Sequence, residues 1–212
     1  MKGKRKNRYP AIVFLVLSTL LLSSCLDIEA IISVNDNGSG TLRMNYSVSA
    51  FAVNLGRIES EQKLLALPLL QQDFERAVQQ IDGLILQSYE IMETEKSTDI
   101  SVALSFSNIE SLSRLFSTQE IRDPVTLETV GNGRAFRVFI YQGSPEEPEE
   151  DIIMLYETLF EENSISITCT FPREVRSANL GTYSVDRRSV TFDKALLEII
   201  TSRDPIVWEI LY

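Results

Sequence analysis

Apolar and polar residues alternate along several stretches of the chain, and a period of two describes a strand with one buried face. Ile28, Ala30, Ile32 and Val34 share one side of the first stretch. After Asn35-Asp-Asn-Gly-Ser-Gly40 the pattern resumes through Leu42, Met44, Tyr46 and Val48. Asn and Gly readily adopt the positive φ that tight connections need, so the two stretches read as a β-hairpin. The loop's acid and amides also resemble half of a calcium loop, but Val48 and Ser49 fall where the closing bidentate Glu belongs, and turn chemistry is the better reading. Residues 125–130 and 134–142 form a second predicted hairpin around Gly131-Asn132-Gly133, and 181–185 with 188–193 a third, turning at Asp186-Arg187. In the second, Phe136, Val138 and Ile140 share a face while Phe139 and Tyr141 occupy the other. That describes a strand covered on both sides, or an aromatic patch offered to a partner.

Four more strands follow from the same pattern. Residues 84–93 are apolar-rich, and 100–107 alternate through Ile100, Val102, Leu104 and Phe106. The opposite face of the latter, Ser101, Ala103, Ser105 and Ser107, suits solvent or a ligand-lined surface. Residues 164–171 place Ile165, Ile167, Cys169 and Phe171 on one face, and 205–212 make a closing strand.

Between these strands the period lengthens to that of a helix. Leu70, Phe74, Ala77, Val78 and Ile81 recur at helical spacing after Pro68, and Asp82-Gly83 ends the run. A short helix is expected over 109–117, capped by Asn108 or Ser107, with Leu112, Leu115 and Phe116 inward. A third, over 149–161, turns Ile152, Leu155, Tyr156 and Leu159 to the core. Residues 51–68 are mixed, with helical character over 59–67, and 195–200 form a short apolar segment. Gly143-Ser-Pro-Glu-Glu-Pro-Glu-Glu-Asp151 is the most linker-like stretch. Its prolines and like charges splay the carboxylates, so it reads as a solvated loop whose acids favour the next helix's N-terminus, not as a metal site. The expected architecture is α+β: an antiparallel sheet built of hairpins, with two to four inserted helices, in one domain.

The chain's first 25 residues follow another logic. Lys2, Lys4, Arg5, Lys6 and Arg8 precede 12 apolar or hydroxyl residues, 11–22, and then Ser23, Ser24 and Cys25. A basic region, a short apolar run and small residues are the anatomy of an export signal. A lasting membrane span needs roughly 20 apolar residues, so length argues against one. The stretch Leu22-Ser-Ser-Cys25 resembles the lipobox of bacterial lipoproteins. The resemblance implies cleavage between Ser24 and Cys25, thioether attachment of diacylglycerol to Cys25, and a further acyl chain on the new amine. Cysteine suits that step because a thiolate is the nucleophile, and two acyl chains suffice for stable anchoring. The alternative is an ordinary secretory signal with a chance cysteine near its cut. In enterobacterial-type lipoproteins an Asp directly after the cysteine retains the protein in the inner membrane. Here Leu26 stands there and Asp27 follows, which leans to the outer membrane in a cell with two. The expected division is a signal peptide, 1–24, and a mature envelope domain, 25–212.

Charge and composition narrow the function. The leader holds 5 of the 20 basic residues and no acid, leaving 15 against 30 in the mature part, a net charge of −15. Such a chain repels nucleic acid and anionic headgroups at long range. Its 188 residues can bury roughly 70% of their unfolded surface without staples. With Cys25 lipidated, Cys169 has no partner for a disulfide and reads as a small buried apolar group. The chain has no histidine, the commonest general base and metal ligand. It carries no Ser-x-x-Lys or Gly-x-Ser-x-Gly motif either. No catalytic, cofactor-binding or metal-ligating residue is therefore assigned, and Arg187 and Arg188 are expected only in surface ion pairs.

Two blocks resemble the LppM-like domain of bacterial lipoproteins. One is the hairpin Val34-Asn-Asp-Asn-Gly-Ser-Gly-Thr41 after the cysteine. The other runs Phe171-Pro172, Val175, Asn179, Gly181 and Val190-Thr-Phe192. The resemblance implies an α+β envelope domain with lipid or glycolipid recognition and carries over no catalytic residue. The expected function is a lipid-anchored, non-catalytic envelope module that binds a lipid, glycolipid or protein partner. The alternatives are a structural subunit of an envelope complex and, more remotely, a hydrolase built on paired carboxylates.

Overall fold

Along the first two alternating stretches and over residues 100–106, burial follows the sequence pattern position by position. The computed structural model describes residues 27–49, 70–118, 121–144, 150–160 and 162–212. Its elements run β1 (Ile28–Val34), β2 (Gly40–Ser49), α1 (Gln71–Gln80), β3 (Leu84–Glu93), β4 (Ser97–Phe106), α2 (Ile109–Phe116), β5 (Val125–Val130) and β6 (Gly133–Tyr141). Then come α3 (Glu150–Phe160), β7 (Ser164–Thr170), β8 (Ser177–Ala178), β9 (Thr182–Tyr183), β10 (Ser189–Ala195), α4 (Leu196–Ile200) and β11 (Ile206–Leu211). Ala30, Ile32, Val34, Leu42, Met44, Tyr46 and Val48 are buried, as are Ile100, Val102, Leu104 and Phe106. The α+β class holds, with four helices among the described residues.

The strands form two sheets, in the orders β3-β4-β2-β1-β7-β10-β9 and β5-β6-β11-β8. A single sheet was expected, and a strand's pattern does not name its partner. Every expected hairpin survives as an antiparallel neighbour pair. Among the described strands the exception to antiparallel order is β1 with β7, which pair parallel from Ile28↔Ile165 to Ser33↔Thr170. Parallel neighbours need a long crossover, and here everything from β2 to α3 serves as one.

Aromatic rings join the sheets. Phe192 on β10 lies 5.8 Å from Trp208 on β11, and Phe171 stacks on Tyr212 at 4.3 Å and meets Phe136 edge-on at 5.5 Å. The Trp208 indole is fully buried and its N–H donates to the Leu180 carbonyl at 2.9 Å, so it carries no unmet polar cost.

α2 begins as its sequence dictates, whereas α1 starts at Gln71, later than the expected opening at Pro68, which lies outside the described residues. Asn108 caps α2, its Oδ1 accepting from the Ser111 amide at 2.8 Å. In α1 the Asp73 carboxylate accepts from the Leu70 amide at 3.3 Å. Two expected core positions are corrected. Leu70 is 54% exposed because it precedes the first turn of α1, and Ile152 is 39% exposed on the outer side of α3. Phe139 and Tyr141 are half-buried, and the Tyr141 hydroxyl donates to the Ile200 carbonyl at 3.1 Å, so α4 helps to cover that face. The expected helical character over 59–67 lies outside the described residues.

Candidate functional site: an arginine-lined cleft at one pole

The registers give the larger sheet two distinct ends. At one lie Asp27, Ser164 and Ala195, the starts of β1 and β7 and the end of β10. At the other lie Val34, Gly40, Thr170 and Ser189. Six residue steps of β1 separate the ends, about 20 Å of extended chain.

Segments meeting at the second end enclose a cleft of about 450 Å³, lined by Arg173, Glu174, Val175, Arg176, Arg187 and Tyr212. That volume lies within the usual range for small-ligand sites. Backbone hydrogen bonds fix its walls: the Val175 amide donates to Arg187 O at 2.7 Å, and Arg176 to Leu211 O at 2.7 Å. Arg134 and Tyr212 exchange a reciprocal pair, at 2.8 and 3.0 Å. Gly133 permits this approach, since a Cβ there would stand 2.7 Å from the Tyr212 carbonyl oxygen and 3.1 Å from an Arg176 guanidinium nitrogen.

The cleft concentrates positive charge in an acidic protein. Three of the six lining residues are arginines against one acidic side chain, Glu174. Arg134 lies close by, near enough to act on the Tyr212 phenol. Arg173 pairs with Asp36 at 3.0 Å, both side chains 63% exposed, so the pair exchanges readily with solvent. Arg176 donates to Asn132 Oδ1 at 2.8 Å. Arg187 has φ +54°, an uncommon conformation for a residue other than glycine. Its guanidinium lies over the Tyr183 ring at 4.8 Å, donates to the Val175 carbonyl and approaches Glu174 at 3.6 Å.

Tyr212 completes the wall. It is 3% exposed, and among the described residues its hydroxyl has no hydrogen-bond partner within bonding distance. Burial raises the phenol above its ordinary pKa, while the nearby Arg134 guanidinium pulls the other way. The other buried side-chain atom without a partner among the described residues is Asn163 Oδ1, before β7 at the opposite pole.

Residues singled out in the sequence have plain structural roles. In the 35–40 loop the Asn37 carboxamide oxygen accepts from the Ser39 amide at 3.1 Å, the Asn35 carbonyl from Gly38 at 3.0 Å, and Asp36 pairs with Arg173. This is turn chemistry. Cys169 is fully buried, and burial pushes its thiol well up. The small face of β4 joins a polar ladder, with Ser101 donating to Asn45 Oδ1 at 2.9 Å and Gln87 to Ser105 Oγ at 2.8 Å. Arg187 forms the expected ion pair but also shapes the cleft, a role its sequence context does not reveal. Ser24 and Cys25, the expected cleavage and lipid-attachment residues, lie outside the described residues, as do 145–149 of the acidic loop. No described helix is long and apolar enough to cross a membrane.

No family model and no curated protein matches the chain. Among solved structures, it is similar to the folded domain of the Mycobacterium tuberculosis LppM protein, determined by NMR, at 12% identity over 88% of each chain with a TM-score of 0.47. A likeness at that level bears on neither ligand nor partner.

Proposed function

We propose that this protein is a lipid-anchored component of the bacterial envelope, held in the membrane through Cys25, whose folded domain is a non-catalytic binding module. The observation that carries this reading is the polarity of the domain. Asp27 is already tied into the fold: its carboxylate accepts from the Ser164 amide at 3.1 Å and its carbonyl from Ser47 at 3.2 Å. Only Leu26 separates it from Cys25, and two residue steps reach about 7 Å. A lipid on Cys25 therefore holds the first pole against the bilayer and presents the arginine-lined cleft away from it, toward the periplasm or the exterior. In a cell with two membranes the outer one is the expected address. The lining supports binding over catalysis: guanidiniums stay charged at any working pH, so they hold an anion well and exchange protons poorly.

The anchor is tested by labelling cells with an alkyne analogue of palmitate. The full chain should take the label and partition with membranes, and Cys25→Ser should do neither. Labelling that survives the substitution overturns the assignment. Native mass spectrometry of the full chain, released from envelopes in detergent, should retain a bound small molecule, lipid or glycolipid.

One feature favours the second reading, a subunit of an envelope assembly. β3 is an edge strand carrying Ile85, Ile91 and Met92 at 56, 44 and 66% exposure, and apolar edges invite pairing. Crosslinking from Met92 in intact cells that captures one protein partner stoichiometrically would move the weight to that reading.

A further inference from the structure

We infer that the cleft is a receptor for a phosphate-type oxyanion, gripped by Arg134, Arg173 and Arg176 with the Tyr212 hydroxyl as an additional donor. The inference rests on the binding-module reading and names the ligand chemistry of that module.

Three observations converge. The mature chain's net charge is −15, yet five of its fifteen basic residues, Arg134, Arg173, Arg176, Arg187 and Arg188, fall on the segments that meet at this pole. Like charges gathered against the background of the whole molecule repel one another, and an anion relieves that repulsion. Guanidiniums also present planar pairs of N–H donors that match tetrahedral oxyanions. Next, the arginines that reach the opening have only weak partners: Arg173 holds one exposed carboxylate and Arg176 one neutral amide oxygen. Each keeps further N–H groups for a ligand.

The third observation is the Tyr212 hydroxyl. A buried hydroxyl without a partner costs stability, and phenylalanine would stack on Phe171 equally well at that place. The hydroxyl lies within the field of Arg134, Arg173 and the Asp36 carboxylate that Arg173 holds. A bound oxyanion would accept its proton in a hydrogen bond and satisfy it. Glu174 and Asp36 set the upper limit on charge: together they leave the site cationic but not strongly so, which suits one phosphate group over a polyanion such as nucleic acid.

The cleft's placement sets the source. It points away from the anchoring leaflet, so the oxyanion is either free in the compartment or the headgroup of a facing membrane, and the two are separable. In the first arm, the full chain in a non-ionic detergent is titrated with inorganic phosphate by calorimetry at constant ionic strength, with chloride as the blank. Saturable one-to-one binding is expected. Arg173→Gln and Arg176→Gln should each weaken it about tenfold, the usual effect of losing a charge-assisted hydrogen bond. Tyr212→Phe should weaken it roughly threefold to tenfold while leaving the denaturation midpoint unchanged or raised, because the hydroxyl has no protein partner to lose. A purely structural Tyr212 would instead lower the midpoint and leave binding alone.

In the second arm, the protein is inserted through its lipid into phosphatidylcholine vesicles and mixed with a second population containing phosphatidylglycerol. Arginine-dependent bridging assigns the oxyanion to a headgroup in the facing membrane. Its absence alongside phosphate binding assigns a free anion. No phosphate binding, or binding that all three variants share with the wild type, overturns the inference. If the label on Cys25 and a different co-purifying molecule persist in that case, the binding-module reading stands and only the oxyanion falls.

Discussion

The Asp27 carboxylate accepts a hydrogen bond from the Ser164 amide at 3.1 Å, across 137 positions of the chain. It closes the open end of the parallel β1–β7 ladder, where the β7 amide would otherwise meet water. Asp27→Ala should lower stability by about 1 kcal/mol, the ordinary contribution of one partly exposed hydrogen bond. Urea denaturation of the wild type and variant measures it. Identical midpoints would mean that water replaces the carboxylate without loss.

Phe192 packs between the sheets against Trp208, and both are essentially fully buried. Truncation to alanine leaves a cavity that rigid strands on either side close poorly. Phe192→Ala should cost about 3–5 kcal/mol, or roughly 10 °C in melting temperature for a domain of this size. Trp208 is the single tryptophan, so its emission, blue-shifted in the native protein, reports the loss directly. A melting shift of only a degree or two would show that the core collapses around the gap.

Two glycines should respond differently to alanine. At Gly40 a Cβ would land on the Ser33 carbonyl oxygen, a backbone atom of the paired strand that cannot step aside. At Gly131, φ is +60° but the space is open. Gly131→Ala should cost about 1 kcal/mol from conformation alone, and Gly40→Ala about 3 kcal/mol from overpacking. Equal effects on the thermal midpoint would contradict the close approach at the first hairpin.

Burial raises the Cys169 thiol far above its ordinary value. In the unfolded chain the thiol ionises near pH 8.5, so above that pH the unfolded state loses a proton that the folded state keeps. The sign follows: stability is fully present below the unfolded value and declines as pH rises, by up to about 1.4 kcal/mol per unit for this one group. Cys169→Ala should flatten that decline between pH 9 and 10, as read from denaturation midpoints. The native thiol should also resist a maleimide that labels the unfolded chain at once. Fast native labelling would place it outside the core.

Much of the local structure is readable because it is local. The hairpin at Asn35–Gly40 declares itself by turn residues between two alternating runs, and its inward positions are those found buried. The end of α1 and the cap on α2 are equally explicit. The misjudged positions, Leu70 and Ile152, lie at helix starts, where spacing continues the pattern but packing does not. Nothing in the strands foretells that β1 takes β7 as its other neighbour, or that β8, two residues long, adds to β11. Period-two patterning specifies a buried face and leaves the choice of partner to the whole chain.

The division is clearest between the two ends of the molecule. The basic and apolar segment, Cys25 and the single residue before Asp27 are contiguous, so the proposed anchorage and its tether length are read from the chain without a fold. The cleft is the opposite case. Arg134, Arg173, Arg176, Arg187 and Tyr212 belong to separate segments, and each looks alone like an ordinary surface charge or core aromatic. Only pairing of β11 with β6, and of β10 with β7, brings them to one pole and buries the Tyr212 hydroxyl there without a hydrogen-bond partner among the described residues. A local pattern carries secondary structure, and the expectation of an export signal, because both act over a few residues. A binding surface depends on long-range pairing, and that is a property of the folded chain as a whole.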